Sequence, residues 1–537
     1  MSDAHTHAHA HPLGSVSRRR VLQGGLAAGA MLTLRPSAAL ALGNPDAGYA
    51  ADRRSRIFGD GRFVIQADMH NHSHLSDGAG IPEQVYPSLR DNGLDAACLT
   101  DHSTLSWGSM GEVTERACAV YDGEPQEGER GDCRSLAGLD EARWQQSKAM
   151  AAQYDAPGRF AALHGFEWSS PFLGHINVWE SQTWIDPLHT GGIDGSGLGQ
   201  HLRTGADEFD GLVEQGLEEL ARARESSEPL AEILDTVMRG NPVGTGMLPF
   251  YEWLVGDPDT PVIGGGSDGI ASFNHPGREE GRFSRFRYHP AAAEKLVAME
   301  ILNRREDYLF KGFEDGQPSP LVECLNAGWR VGLIGVTDEH GTDWGEPEGK
   351  GRAGLWVTEL TRKGVREALA SRRTFATFEA GLRVDAAARP APGGRTPPWA
   401  GSPDGGWSRM GRVLDHDRGP VQFLVDIDRG DKWVGRDVEV QVLRPDDHIP
   451  AVVHVEPATI PAPDEPLISF TVDLDLDDGD WVVLRIARPH ADNPHGSGTG
   501  HPGDRAVLAY TSPFWLGSRW RTSLLGGALS SAGLSLR

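Results

Sequence analysis

The residues with the most chemical potential open in DMHNHSHLSDG, Asp68 to Gly78, which holds His70, His72 and Asp77 in one short run. Further along come His102 in LTDH, Glu167 in GFEW, His175 in GHINVW, His275 in FNHPG, and Asp338 and His340 in GVTDEHG. Imidazole nitrogen and carboxylate oxygen are the usual ligands of zinc, manganese and iron. Nine such groups gathered on one face, dry and unpaired, would carry a large desolvation penalty, and a cluster of metal ions removes that conflict. Two divalent ions would lower the pKa of a shared water from 15.7 towards roughly 7 and polarise a bound oxygen, which is the chemistry of hydrolysis. His102 or His340 is then suited to protonate a leaving group, because imidazole titrates in the right range. Covalent catalysis has little support, since no cysteine sits beside a plausible base. Arg304 and Arg305, in EILNRRED, place guanidinium forks just past a strand end, where they suit a phosphate, and Glu300 on the same strand is a candidate to support the site from behind.

The elements that must position these groups are short apolar runs alternating with helical patterns: RFVIQADMH then PEQVYPSLRDNG, LDAACLTDH then LDEARWQQSKAMAAQY, and later GIASFNHPG, LVAMEILN, RVGLIGVTDEHG and AGLWVTEL. This order predicts parallel strands with crossover helices, buried on both faces as in a barrel. The candidates fall at or beyond strand ends, the face on which a parallel barrel gathers its loops. His175 is the exception, since it opens its strand. GRAGLWVTELTRKGVREALASRRTFAT reads as a strand, a helix capped by Thr361 and a closing strand. From about Pro390 a Pro- and Gly-rich stretch leads to alternating runs such as VQFLVDIDRG and DWVVLRIARP, which predict a small antiparallel β-sandwich; DLDLDDGD within it reads as an acidic hairpin turn.

Lysine and arginine total 51 against 76 acidic residues, a formal charge of -25, which argues against a duplex nucleic-acid binder. SRRRVLQGG, a short apolar run and ALA at Ala39 to Ala41 read as a twin-arginine export leader, so the tract His5, His7, His9 and His11 belongs to a discarded tail. No other segment is apolar enough for a stable membrane span. Of four cysteines, Cys118 and Cys133 flank a loop and are candidates for one disulfide, whereas Cys98 and Cys324 read as core.

DMHNHSHLSDG, LTDH, GFEW, GHINVW, FNHPG and GVTDEHG together resemble, in order, the metal motifs of the polymerase and histidinol phosphatase (PHP) superfamily, over about Phe63 to Phe378. The GHINVW form, the leader and the β-rich tail are most similar to a secreted branch that includes carbamate (carbaryl-type) hydrolases. The resemblance implies a distorted seven-stranded β/α barrel with two or three divalent ions. It implies that His70, His72, Glu167 and Asp338 hold one ion, that Glu167 bridges to a second on His175 and His275, and that Asp77, His102 and His340 hold a third. Asp77 stands where the three-metal phosphatase pattern has a histidine. His74 is extra to the motif and reads as a surface residue or a support behind the ligands; Asp101 reads as a carboxylate that orients an imidazole.

The expectation is therefore an α/β protein. Residues 1–41 form the leader, 55–385 a distorted (β/α)7 barrel with a helical insertion at about 184–264, 386–410 a linker and 411–520 the sandwich. The expected function is an exported, metal-dependent phosphoesterase acting on a small phosphorylated ester with zinc, manganese or iron, working in the periplasm, at the cell surface or outside the cell. Hydrolysis of carbamates or carboxylic esters at the same centre is the alternative, and a non-catalytic metal-binding protein is a third reading.

Overall fold

The computed structural model describes residues 53–103, 138–170, 173–187, 247–259, 265–278, 282–311, 317–346, 349–391, 406–428, 432–493 and 501–517. The leader, most of the expected insertion, the middle of the expected linker, and both Cys118 and Cys133 lie outside the described residues. Cys98 and Cys324 are buried free thiols.

Strand β1 (Phe63–Asp68) is an apolar run that leads into α1 (Pro82–Asp91). That helix starts on Pro82, whose missing N–H would have had no helical acceptor, and buries Val85, Tyr86 and Leu89. Next come β2 (Ala96–Leu99), the short β3 (His102–Ser103) and α2 (Glu141–Tyr154), which is capped by Asp140 accepting from Arg143 N at 2.7 Å. Then follow β4 (Ala161–Ser170), β5 (Gly174–Trp179), α3 (Leu248–Val255), β6 (Ile270–Phe273), β7 (Leu296–Asn303), β8 (Glu306–Asp307), α4 (Pro320–Asn326) and β9 (Gly332–Val336). As expected, β10 (Arg352–Val357), α5 (Arg362–Ala370) and β11 (Thr374–Thr377) succeed one another, with Thr361 accepting from Gly364 N at 3.0 Å. Helix α3, cut from the expected insertion, packs Phe250 on Trp168 with ring centroids 4.7 Å apart. No helix among the described residues is long and apolar enough to cross a membrane.

The sheet is mixed rather than parallel. Strands β1, β2 and β4 run parallel, as do β6, β7 and β9, but β5 is antiparallel to both β4 and β6, and β10 is antiparallel to β1 and β11. The reversal at β5 has a simple cause: Pro171, Phe172 and Leu173 alone separate it from β4, and a parallel return needs a crossover of about a dozen residues. At the far end the parallel bridge Asn71↔Glu339 and the bond from Asp338 N to His70 O, 3.0 Å, join the chain beyond β1 to the chain beyond β9.

The remaining strands are β12 (Arg383–Pro390), β13 (Ser408–Arg409), β14 (Val413–Leu414), β15 (Arg418–Asp428), β16 (Asp437–Arg444), β17 (Ala451–Thr459), β18 (Ile468–Asp475), β19 (Trp481–Asp492), β20 (Arg505–Thr511) and β21 (Phe514–Leu516). β12 runs through residue 386, where the linker was expected to begin. Four of them form a sheet in the order β13-β12-β15-β18. The others belong to the large sheet, because β20 pairs with β11 from Phe375↔Thr511 to Thr377↔Ala509. Val384, Phe423, Ile427 and Phe470 of the small sheet share one apolar cluster with Val440, Leu484 and Phe514, and Trp356 of β10 joins them. The acidic stretch ends β18 and then makes a short 3-10 turn, Leu476–Asp478, in which Asp475 accepts from Asp477 N at 3.0 Å; it is not the expected hairpin, because β18 pairs with β15 in the small sheet and β19 with β16 in the large one.

A buried ion pair ties the small sheet to the chain before β1: Arg383 Nη2 lies 3.0 Å from Asp426 Oδ2, both side chains are fully buried, and Arg56 Nε donates to Asp426 Oδ1 at 3.0 Å. Removing the carboxylate leaves a buried guanidinium uncompensated. Asp426→Ala should therefore lose about 3–5 kcal/mol of stability, read as a lower midpoint in chemical denaturation; an unshifted midpoint would contradict the assignment.

Candidate metal centre

Glu167 lies near the C-terminal end of β4 and is fully buried. Its Oε1 is 3.2 Å from His70 Nε2, 3.2 Å from His175 Nδ1 and 3.2 Å from His275 Nε2, while Oε2 is 2.6 Å from His102 Nδ1. Asn274 Nδ2 donates to Oε1 at 2.8 Å. Burial opposes the charge on this carboxyl, but the imidazoles of His70, His175 and His102 outweigh burial and hold it well below the usual carboxylate range.

The reversal of β5 explains His175. Because the strand runs back along β4, with Ser169 opposite His175, its first residues lie beside the last residues of β4. Opening an antiparallel strand thus places a side chain on the same face as closing a parallel one. His275 follows β6, where Asn274 N donates to His175 O at 3.0 Å.

His70 and His72 leave β1 with their Nε2 atoms 3.0 Å apart, and Asp338 Oδ1 lies 3.5 Å from the first and 3.3 Å from the second. His340 Nε2 is 3.3 Å from Asp77 Oδ2, and His102 Nε2 is 3.5 Å from Asp77 Oδ1. The nine residues thus form interlocking groups: His70, His72 and Asp338; His72, Asp77, His102 and His340; and His102, Glu167 and His175. His275 joins through Glu167. The first group is buried, whereas Asp77 and His340 are partly exposed.

The donor chemistry fits cations. His70 Nδ1 lies 2.7 Å from Glu300 Oε1, so this nitrogen carries the proton and the Nε2 lone pair faces His72 Nε2, Glu167 Oε1 and Asp338 Oδ1. Bare lone pairs converging at such distances repel unless a positive charge lies among them. His72 is fully buried, and among the described residues its Nδ1 has no hydrogen-bond partner, Asp77 Oδ1 lying 3.9 Å away. Burial, then the neighbouring His340 and His102 rings, push its pKa well down, which favours the neutral form that ligates. Burial pulls His70 down as well, but Glu167, Glu300 and Asp338 overcome it and hold that ring well above its ordinary value, so without an ion Nε2 keeps a proton among these acids, and a cation there would take that proton's place and free the lone pair.

Glu300 accepts from His275 N at 2.7 Å and from Asn303 Nδ2 at 2.8 Å in addition to His70, the supporting role expected of it. Asp101 does otherwise. It accepts from Ser73 N at 2.8 Å, Ser73 Oγ at 2.9 Å and Ser76 Oγ at 2.7 Å, so it folds the Ser-x-x-Ser-Asp loop rather than orienting an imidazole. His74 is exposed. Arg304 reaches the cluster, with Nε donating to Asp338 O at 3.2 Å and Nη2 3.1 Å from His340 Nδ1. Arg305 is exposed, and among the described residues no hydrogen bond or ion pair ties it to the cluster. The second guanidinium at the site, beside that of Arg304, belongs to Arg278, which sequence reasoning missed: Nη1 donates to Asp338 Oδ2 at 3.0 Å and Nη2 to Asn303 Oδ1 at 3.0 Å. Its position three residues after His275 in FNHPGR was the available signal. Asp338 therefore turns one oxygen to the imidazoles and the other to two guanidinium groups, Arg304 Nε lying 3.4 Å from Oδ2.

No protein-family model matches the chain, and no curated protein matches it. Among solved structures, it is similar to a two-domain protein from Bacteroides vulgatus containing a predicted PHP-like metal-dependent phosphoesterase. Identity is 13%, coverage 86% of this chain and 99% of the other, and the TM-score 0.33. An amidohydrolase from Chromobacterium violaceum with bound sulfate and no metal gives 18% identity, 51% and 87% coverage and a TM-score of 0.23. A protein from Bifidobacterium adolescentis, predicted to be a metal-dependent phosphoesterase, gives 13%, 52%, 88% and 0.25. At these scores the likenesses carry no argument, and the site stands on its own geometry.

Glu300→Gln removes the charge behind His70. Affinity for Mn2+ should fall about 10–100-fold in competition with a chromophoric chelator, and unchanged affinity would separate Glu300 from the centre.

Proposed function

We propose that this chain is a metal-dependent phosphoesterase of PHP type. The observation that carries the reading is the set of imidazole nitrogens converging on Glu167, with two guanidinium groups on the outer oxygen of Asp338. His70, His72, Glu167 and Asp338 would hold one divalent ion, Glu167, His175 and His275 a second, and Asp77, His102 and His340 an outer third. Such ions supply Lewis acidity and a water made acidic at neutral pH.

The protein's own residues supply the rest. Glu300 and Asn274 hold His70 and Glu167 in register. Arg278 and Arg304 would bind the anionic group of the substrate, the role expected of Arg304 and Arg305 from sequence, with Arg278 now in place of Arg305. Charge favours an anion: four carboxylates (Asp77, Glu167, Glu300, Asp338) against two arginines and at least two divalent ions leave a positive centre. His340, the more exposed of the two candidate acids, is placed to protonate a leaving group if its ring nitrogen is not engaged by an ion.

On the sequence alone we also propose export through the twin-arginine leader, action in the periplasm, at the cell surface or outside the cell, and a C-terminal β-sandwich following a barrel-like enclosure of the site.

The test is release of nitrophenolate from bis(p-nitrophenyl) phosphate and p-nitrophenyl phosphate by Mn2+-loaded protein, beside His70→Ala. Turnover abolished in the variant is expected; its absence with ions bound, together with turnover of a neutral aryl carbamate or acetate, would replace phosphoesters by uncharged esters. Arg278→Ala should raise KM for the anionic substrates about tenfold or more and leave that for a neutral ester unchanged.

A further inference from the structure

We infer that His340 and Arg304 form a coupling device, in which a cation at the outer position frees Arg304 to take an anion. This rests on the metal-hydrolase reading above. His340 Nδ1 has two neighbours with opposite requirements. Arg304 Nη2, at 3.1 Å, can only donate and needs a bare lone pair; on the other side the carbonyl oxygen of Asp338, at 3.0 Å, with its carboxylate Oδ1 at 3.4 Å, can only accept and needs a proton. One ring nitrogen satisfies one of them at a time.

The other ring nitrogen decides between them. With the proton on Nε2, which lies 3.3 Å from Asp77 Oδ2, Nδ1 is bare and holds Arg304. With Nε2 given to a cation, the neutral ring carries its proton on Nδ1 and donates to Asp338 O. Arg304 Nη2 then loses its acceptor, and an oxyanion of a phosphate ester is a partner that restores one. The backbone holds Arg304 at this junction. Its φ of 52° lies in the left-handed region, its N donates to Val336 O at 3.0 Å, and its O accepts from Gly351 N at 2.8 Å. The side chain, 47% exposed, is the part able to reorient. Outer cation and substrate anion therefore reinforce each other beyond the direct attraction of metal for anion, and the coupling is reciprocal.

The experiment is Mn2+ calorimetry on the full chain in phosphate-free buffer, with and without inorganic phosphate; the outer binding step is identified as the one lost in Asp77→Ala. Arg304→Lys keeps the charge but lacks the fork that spans Asp338 O and His340 Nδ1. It should bind the outer Mn2+ about three- to tenfold more tightly than the parent without phosphate, and the tightening that phosphate adds should shrink by a similar factor. Arg304→Ala, checked for an unchanged melting temperature, should move in the same direction. Identical or weaker outer binding in Arg304→Lys overturns the coupling. A parent with no step sensitive to Asp77→Ala removes the outer site and the coupling together. Normal coupling without ester hydrolysis refutes the proposed reaction and leaves the device intact.

Discussion

A fully buried carboxylate ringed by imidazoles, Glu167, is the constraint on which the rest of the structure depends. An ionised carboxyl in an apolar interior is stable only with compensating charge and donors. Four histidines drawn from beyond β1, β2 and β6 and from the start of β5 meet it, and Asn274 supplies the neutral donor. The strand order follows from this need. β4 lies between β2 and β5, so neighbours on both sides deliver nitrogen atoms to its C-terminal end.

Holding those atoms requires a stiff backbone around them. The Trp179 indole donates to Met69 O at 3.0 Å and the Trp344 indole to His72 O at 3.0 Å, fixing the His-x-His run on both flanks. Asp68, raised to about 6 by burial, accepts from Thr337 N at 3.1 Å and so joins the end of β1 to the end of β9. A side chain at Gly78 would bring its Cβ to 2.6 Å from Ser73 N, so the loop closed by Asp101 admits glycine there. His275, Arg304 and Asp338 all have positive φ, at 24°, 52° and 49°. Left-handed backbone costs a residue with a side chain about 1–2 kcal/mol, and finding three such residues at one site fits strain retained where geometry matters.

Much of this was legible in the sequence. Residue types at or beyond strand ends identified eight of the nine groups that the structure gathers, because strand ends are read from apolar runs; His175, which opens its strand, was the exception. Thr361 as a helix cap and Glu300 behind His70 were visible for similarly local reasons. The order of pairing was not, since β10 beside β1 and β20 beside β11 are contacts between distant segments that no local period encodes. The direction of β5 is set by the three residues that link it to β4 and leaves no mark on its own composition. Arg305 stands next to Arg304 in sequence, but it is exposed and Arg278 takes the place beside Asp338.

The pairing of β11 with β20 also governs the order in which the chain can assemble as it leaves the ribosome. β1 waits for β10 before one of its edges is covered, and the edge of β11 waits longer still, for a strand close to the C-terminus. The ligand set is incomplete until Asp338 and His340 have emerged. A growing chain therefore carries its histidine pair on an unfinished sheet through most of its synthesis, and the full set of donors is together only once residue 340 of 537 has emerged.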